Sequence, residues 1–278
     1  MKRSARSLAK DIGFYIFIAI VCLIFAFPFY WMIITSFKIH LDIFSYPPVY
    51  WPMRLTDYNF RVGLIDLWGL KGIQDSTIIS SLNTLLVLVV SLPAAYALAL
   101  LPVKGKETIL NWILSQRMLP PIAAAIPFFI LWNSIGWLDT YQALILTYTI
   151  FNLPLAIWLL TSYIEELPKE IYESALVDGA GHLTTLRYII MPLIGPSIAV
   201  TSLFTFIFSW NEFLYALLLT RNNVRPFTVI IPSLVGGHVI LWGAIAAVTF
   251  VGLIPEIILI ILLQRHLVRG LTLGAIKG

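Results

Sequence analysis

The residues of this chain that could take part in chemistry are few and lie far apart. The four histidines fall in loops or near the ends of apolar stretches: His40, His182, His238 and His266. Their spacing matches no metal-ligand pattern. Neither a Walker-type phosphate loop nor a G-x-G-x-x-G motif occurs, so we expect no nucleotide binding by this chain. Since Cys22 is the only cysteine, a disulfide within the chain is excluded. The sequence therefore predicts no catalytic, cofactor or metal site.

Three charged residues, Arg117, Glu212 and Glu256, stand inside apolar stretches. Charges at bilayer depth are costly and usually face a protein interior or a cavity, in pairs. We hypothesise that Arg117 pairs with one of the two glutamates. One alternative is that Glu212, with its neighbour Asn211, lines a passage and hydrogen-bonds a polyhydroxylated solute. Another is that Glu212, near the end of its stretch, lies at the external interface. Two further polar residues, Asn133 and Asn152, fit either a passage or contacts between helices.

Membrane helices must position these residues. The chain has 278 residues, of which 59% are hydrophobic and 12% charged, and a mean hydropathy of +0.90. A helix needs about 20 apolar residues to cross a hydrocarbon core of about 30 Å. Six stretches meet this length, at 12–36, 77–101, 108–132, 141–163, 194–219 and 239–263. The sequence thus predicts an all-α, polytopic membrane protein with one domain, 1–278, and a tail at 264–278. The first stretch is too long for a cleaved signal peptide.

Lysine and arginine positions predict the orientation of these helices. The side that carries both termini and residues 164–192 has eleven of these residues, against six on the other side. Cytoplasmic loops carry the excess of positive charge, so this side is predicted to be cytoplasmic. The same rule explains the net charge of +4, and we expect no nucleic-acid partner.

Residues 164–192 form a polar insert between two apolar stretches. Apolar residues at helical spacing share one face, and acidic residues occupy the other. Pro168 suits the first turn of a helix, and Gly179 suits its left-handed end. A second short helix is predicted at about His182–Met191. Anionic lipid headgroups would repel so many carboxylates, which favours a protein partner over a membrane surface.

The order of residues in this insert resembles the signature loop of ABC-importer permeases. Glu173-Ser174-Ala175, Gly179, Ile189, Met191 and Pro192 follow the pattern E-A-A-x3-G-x9-I-x-L-P, with Ser174 for alanine and Met191 for leucine. Asp178-Gly179-Ala180 matches the D-G-A of the sugar-importing branch. Other matching stretches run from about Asn83 to the C-terminus. The chain is identified by resemblance as the shorter permease of a carbohydrate-importing pair, with a type I importer fold.

This resemblance implies partners and site residues. The partners would be a second permease, a dimer of a cytoplasmic ATPase that holds ATP and Mg²⁺, and an external solute-binding protein, in the inner membrane of a bacterium or archaeon. The loop residues implied to contact the ATPase are Glu173, Ser174, Ala175, Leu176, Asp178, Gly179, Ala180, Ile189 and Pro192. The tail residues implied to reach it are Gly270, Gly274, Lys277 and Gly278.

Two other classes of membrane protein predict different sequence features. A self-contained secondary transporter would show inverted repeats and an ion-coupling carboxylate site. An intramembrane enzyme would need a catalytic pair or a metal cluster, and the sequence shows neither. We therefore expect a non-catalytic permease subunit of an ATP-driven sugar or polyol importer, with the secondary transporter as the alternative.

Overall fold

The computed structural model describes the backbone of residues 5–236 and 239–273, and the side chains of 11–236 and 240–265. The chain divides into two compact units, Met1–Leu70 with Ile231–Gly252, and Lys71–Ile230 with Leu253–Gly278. Almost all regular structure is helical. The helices are α1 (Ala5–Phe37), α2 (His40–Ile43), α3 (Tyr58–Phe60), α4 (Gly69–Leu100), α5 (Lys106–Ser115), α6 (Pro121–Ser134), α7 (Tyr141–Glu165), α8 (Lys169–Val177), α9 (His182–Thr185), α10 (Met191–Leu193), α11 (Gly195–Trp210), α12 (Leu214–Leu219), α13 (Phe227–Ser233) and α14 (Trp242–Leu273).

Short irregular elements join several of these helices. Two π-helical turns, Arg61–Asp66 and Leu186–Ile190, follow α3 and α9, and a 3-10 turn, Gln116–Met118, follows α5. A two-residue antiparallel pair, β1 (Val235–Gly236) with β2 (Val239–Ile240), precedes α14.

The first unit contains α1, whose side chains from Ile12 to Phe29 are almost all exposed. Such a helix is apolar all round and suits contact with lipid or with another protein. The small core of this unit is formed by Leu234, Ala244 and Val248. Gly63 packs against it so closely that a Cβ would lie 2.9 Å from the Ala244 carbonyl oxygen, so only glycine fits there.

The second unit is built around α7, which is buried along much of its length. One apolar cluster surrounds the first half of α7 and includes Leu144, Tyr148 and Tyr215. Another cluster surrounds its second half and includes Leu160 and Ile164. Because both clusters share α7, this helix fixes the positions of the elements on either side.

Within the described residues, four helices are long and apolar enough to cross a membrane: Asp11–Phe37, Gly69–Leu100, Tyr141–Glu165 and Trp242–Arg265. Two bent helix pairs bring the number to six if each pair is one span. The all-α, polytopic class predicted from the sequence is therefore confirmed, and the predicted six spans are approximately consistent with this count. The individual bounds differ, because α4 begins before residue 77 and α14 runs past residue 263.

The third predicted span, 108–132, is broken into two helices instead of being continuous. Lys106–Met118 and Pro121–Ser134 meet at 88°. Pro120 and Pro121 explain the break, because proline lacks the N–H that continues a helix and disfavours the helical conformation in the residue before it. The fifth predicted span, 194–219, is divided into α11 and α12 between Trp210 and Leu214. A bend of 84° between His182–Leu193 and Gly195–Trp210 lies at its beginning, where Pro196 follows Gly195.

The predicted tail falls mostly outside the described side chains. The backbone of α14 continues to Leu273, so Gly270 lies in a helix and not in an extended segment. Gly274, Lys277 and Gly278 lie outside the described residues.

Candidate functional site

The insert between α7 and α11 contains the helix predicted from its sequence. α8 begins at Lys169, directly after Pro168, and carries Glu170 in its first turn. Gly179 has a φ of +84°, which confirms the predicted left-handed end. The Gly179 N–H donates to Leu176 O and the Ala180 N–H to Ala175 O, both at 3.0 Å. This pair of bonds is the Schellman motif, which satisfies the last carbonyls of a helix.

The outer surface of the insert combines acidic and apolar side chains. Glu173 and Asp178 are exposed, and their carboxylates form no hydrogen bond or ion pair with the described part of the chain. Val177 and Leu183, on the same insert, are 87% and 77% exposed. Exposed apolar residues beside unpaired charges, outside the membrane spans, are typical of a surface that binds a protein partner.

The inner side of the insert is attached to α4 and α7. The hydroxyl of Tyr96, on α4, lies 3.2 Å from Nδ1 of His182, and the Tyr96 ring packs edge-on against the ring of Tyr172. Beside it, Lys106 at the start of α5 pairs with Glu165, the last residue of α7, at 3.1 Å. Leu186 and Ile190 complete an apolar cluster with Leu160 and Ile164 of α7. The inner side of the insert is therefore packed directly against membrane helices.

A polar network joins α4, α7 and α11 within the membrane spans. Asn83, which is fully buried, donates to Thr149 Oγ1 at 2.8 Å and to Ile145 O at 3.0 Å. Its carbonyl oxygen accepts bonds from Asn152 Nδ2 at 3.0 Å and from Ser209 Oγ at 2.7 Å. Such bonds hold helices together in a bilayer, where the driving force of apolar burial is weak.

A cavity of about 180 Å³ lies beside this network. It is lined by Arg117, Leu119, Pro121, Tyr148, Phe151, Asn152, Phe208, Glu212 and Tyr215. Arg117 Nη1 donates to Phe151 O at 3.3 Å, and its guanidinium lies 4.8 Å from the centre of the Phe208 ring. The rings of Phe151 and Tyr215 stack at 4.8 Å on another wall. The cavity thus combines aromatic walls with a cation.

Glu212 lies across this cavity, at the start of α12. Its carboxylate accepts the N–H groups of Tyr215 and Ala216 at 3.0 to 3.1 Å, which caps the helix. Tyr148 is 3% exposed and faces this carboxylate, yet its hydroxyl has no hydrogen-bond partner within hydrogen-bonding geometry among the described residues. Buried hydroxyl groups are nearly always hydrogen-bonded, and the acceptor that this one faces within the chain is Glu212.

Two carboxylates hold the segment between α12 and α13. Asp139 accepts four backbone N–H bonds of 2.8 to 3.2 Å, from Arg221, Asn222, Asn223 and Val224. Burial alone would raise the pKa of Asp139, but these four bonds lower it below its usual value of 3.8.

The second of these carboxylates, Asp75, is 1% exposed and accepts bonds from Lys71 Nζ, Tyr141 Oη and the Arg225 N–H at 2.7 to 2.9 Å. Its charge is thereby paired and its oxygens are satisfied. Together with Asp139, it fixes the backbone of residues 221–225.

Residues 89–273 match the model of one protein family, described as the inner membrane component of binding-protein-dependent transport systems. This match covers well over half of the chain. The chain belongs to that family.

Relatives of this permease cover nearly the same length of chain. The trehalose/maltose transport system permease protein MalG of Thermococcus litoralis is 38% identical over 95% of this chain and 94% of its own length. The trehalose transport system permease protein SugB of Mycobacterium tuberculosis is 36% identical over 82% and 84%. The diacetylchitobiose uptake system permease protein DasC of Streptomyces coelicolor is 32% identical over 91% and 92%.

A solved structure supports the fold of the permease. A chain of a bacterial ABC transporter involved in the import of the acidic polysaccharide alginate superposes with a TM-score of 0.78. The match covers 95% of this chain and 99% of that one, at 21% identity. It shows that the two chains share the importer-permease fold.

The structure changes the interpretation of the loop residues. Ala175 is 5% exposed and packs inside the permease, so it is not available on the outer surface where the resemblance placed it. Leu176 and Ile189 are partly buried. Glu173, Ser174, Asp178, Gly179 and Pro192 are exposed, and Ala180 is partly exposed.

The hypothesis that Arg117 pairs with a glutamate is not supported by the contacts. Glu256 instead accepts a 2.6 Å bond from Asn211 Nδ2, and Glu212 is occupied by the N-terminus of α12. Arg117 is bound to a carbonyl and a ring because the break at Pro120 turns it toward α7. Asn152 joins helices as well as lining the cavity, while Asn133 is exposed.

Several residues of the site could not be recognised from the sequence. Val177 and Leu183 interrupt the apolar spacing of the loop, and that irregularity was the only signal that they face outward. Tyr148 and Phe208 are ordinary members of apolar stretches. Among the described residues, no group of three or more histidine, cysteine, aspartate or glutamate side chains could hold a metal ion.

Proposed function

We propose that this chain is a permease subunit of an ATP-driven importer of sugars or related polyols. Family membership and the names of the relatives, which transport trehalose, maltose or diacetylchitobiose, support the class of solute. The relatives match over nearly their full length, which disfavours a self-contained secondary transporter. In this proposal the chain forms half of the passage with a second, different permease, and an external binding protein delivers the solute.

We further propose that residues 164–192 transmit the force of ATP hydrolysis. The observation that carries this step is the two-sided insert. Its outer surface exposes Glu173, Val177 and Leu183. Its inner side contacts α4 through Tyr96 and packs against α7 through Leu186 and Ile190. A partner that binds the outer surface would move the membrane helices with it. This is the arrangement that alternating access by rocking of helix groups requires.

The remaining features of the assembly follow from this role. The ATPase would supply ATP and Mg²⁺ binding, so the permease itself would be non-catalytic and carry no cofactor. Both termini and the insert would face the cytoplasm, in agreement with the excess of lysine and arginine on that side. The C-terminal residues Gly270 to Gly278 would reach toward the ATPase.

Co-purification tests this proposal. We would purify the tagged permease from its native membranes as wild type, as Glu173→Lys, as Gly179→Pro and as the control Asp57→Lys, whose site is an exposed aspartate outside the insert. Mass spectrometry would identify the ATPase by its phosphate-binding loop.

We expect wild type and the control to retain the ATPase and a second permease. Glu173→Lys places a cation where the partner would supply one, and Gly179→Pro removes an N–H of the Schellman motif, so both should lose most of the ATPase. Wild type that is recovered alone and still carries trehalose or maltose into vesicles would overturn the proposal.

A further inference from the structure

We propose that the cavity at Arg117 is a solute-contact subsite that this subunit itself contributes to the passage, and that it binds one ring of a neutral sugar. This inference rests on the proposed function and goes beyond it by naming the residues that contact the solute. Arg117 and Tyr148 would donate hydrogen bonds to neighbouring hydroxyl groups, and the rings of Phe208 and Phe151 would cover the apolar faces of the sugar.

The depth of the cavity suits a transport site. Arg117 binds the carbonyl of Phe151, the eleventh residue of the 25-residue helix α7. At 1.5 Å per residue this contact lies about 15 Å from the first residue of α7, which is half of a core about 30 Å thick. Substrate sites of transporters lie near the midplane, where broken helices leave irregular backbone. Two helix breaks lie beside the cavity. One is at Leu119 and Pro120, and the other is between Trp210 and Leu214.

The polar groups of the cavity are incompletely used by the protein. Arg117 has five N–H donors, and one hydrogen bond to a described residue occupies its guanidinium. The Tyr148 hydroxyl is buried and faces the Glu212 carboxylate, but it makes no hydrogen bond of good geometry in the described part of the chain. Leaving a buried hydroxyl unpaired is costly, and leaving a charge at this depth costs more. Both groups would gain their bonds from a solute hydroxyl.

The charges of the cavity select a neutral solute. An anion that approached Arg117 would also approach the carboxylate of Glu212, which lines the same cavity. A neutral polyol avoids this repulsion, and its hydroxyl groups can accept hydrogen bonds from Arg117. The volume of about 180 Å³ is below the range of roughly 300–1,000 Å³ for complete ligand sites. The cavity therefore holds one end of a solute, as expected of a subunit that forms half of a passage.

A comparison of solute analogues tests the subsite. The complex from native membranes would be reconstituted in proteoliposomes with its binding protein at saturation. Initial uptake of trehalose would be compared with uptake of its monodeoxy analogues, each lacking one hydroxyl. The same ratios would be measured for Tyr148→Phe, which removes only the hydroxyl, and for Arg117→Lys, which keeps the charge but loses the planar fork. Tyr58→Phe, at an exposed tyrosine outside the cavity, is the matched control.

In wild type, loss of the hydroxyl that Tyr148 contacts should slow uptake about 3- to 10-fold, the value of one neutral hydrogen bond. In Tyr148→Phe that discrimination should disappear at one position and remain at the others. If Tyr148 had only a structural role, Tyr148→Phe would slow the uptake of every analogue equally. Preferences of the binding protein cancel in the ratios, because the wild-type and variant complexes use the same binding protein. Arg117→Lys should lose discrimination at a neighbouring position, and Tyr58→Phe should behave as wild type.

Discrimination ratios that match wild type at all positions in both cavity variants would overturn the subsite while leaving the importer proposal intact. A variant complex that fails to assemble is replaced in this comparison by the other one. Faster uptake of a uronic acid analogue than of trehalose would overturn the neutral class of solute. A wild-type complex that retains its ATPase but carries no sugar or polyol into the proteoliposomes would overturn the proposed function itself.

Discussion

The insert at 164–192 and the segment at 221–225 both lie between membrane helices, but carboxylates have different surroundings in the two regions. Asp139 accepts four backbone N–H bonds from the segment 221–225, and Asp75 accepts one from Arg225 as well as bonds from Lys71 and Tyr141. Glu173 and Asp178 of the insert are exposed and bind nothing in the described part of the chain. Carboxylates of the first kind hold the fold, whereas those of the second kind remain available to a partner.

The two regions are also held in place in different ways. The segment 221–225 has no regular structure of its own and depends on side chains from α4 and from the turn before α7. The insert has regular structure of its own, because backbone bonds close the end of α8, and it is attached to the bundle by Tyr96 and by the packing of Leu186 and Ile190. The proposed transmission of force to an ATPase requires an insert that keeps its own structure and is also attached to the membrane helices.

The largest expected effect is on the outer surface of the insert. Leu183→Asp should weaken ATPase binding by more than about 2 kcal/mol, roughly thirtyfold, because buried apolar anchors dominate interface energies. Leu41→Asp is the matched control, since Leu41 and Leu183 are both 77% exposed. ATPase retained by the purified complex at increasing dilution measures the difference. Equal losses in both variants would mean that exposure alone, and not the insert, explains the effect.

A smaller effect is expected for Asp139, whose carboxylate already binds backbone N–H groups of its own chain. Asp139→Ala leaves four backbone N–H groups without their acceptor and should lower the free energy of unfolding by about 1–2 kcal/mol, given that these groups are partly exposed to water. Thermal unfolding of the purified permease in detergent, beside Asp57→Ala, measures it. Unfolding midpoints that coincide in the two variants would show that the segment 221–225 is held by something else.

The attachment of the insert should contribute less. Tyr96→Phe removes the hydroxyl that meets His182 while keeping the ring against Tyr172, at a cost of about 0.5–1 kcal/mol. We expect fewer solute molecules carried per ATP hydrolysed, with the ATPase still bound. Tyr188→Phe, at an exposed tyrosine of the same insert, should leave the ratio unchanged. A loss of bound ATPase in Tyr96→Phe would assign Tyr96 to docking instead of force transmission.

The smallest effect concerns pH. Since the pKa of Asp139 is lowered in the folded state, its charge stabilises the fold above the unfolded value of 3.8, and this contribution is lost as the pH falls through the lower folded value. The unfolding temperature of wild type should therefore drop more steeply below pH 4 than that of Asp139→Asn, which does not titrate. Parallel curves for the two proteins would contradict the role of the charge.

Local features of the site could be predicted from the sequence. Pro168 and Gly179 bound α8 because each acts through its own backbone, a fixed φ in one case and a left-handed φ in the other. The membrane class followed from the length of the apolar stretches. The place of Ala175 could not be predicted, since whether a small residue faces a partner or its own bundle depends on how α8 rests on α4 and α7.

Contacts between distant residues were the least predictable. The expected pair of Arg117 and a glutamate does not form, because the break at Pro120 sends Arg117 to the carbonyl of Phe151 and because α12 takes the carboxylate of Glu212. Prolines within a stretch indicate a bend but not its direction. The partner of an intramembrane charge is therefore decided by geometry that one-dimensional spacing does not contain.

The sequence by itself determined the all-helical membrane class, the excess of positive charge on one side and the capped helix of the insert, because each depends on composition or on neighbours within a few residues. Only the tertiary structure decided which side chains share a space. Tyr148 and Phe208 are 60 positions apart in the sequence and line one cavity with Arg117. Helix breaks and packing bring them together, and a binding site for a solute depends on that convergence.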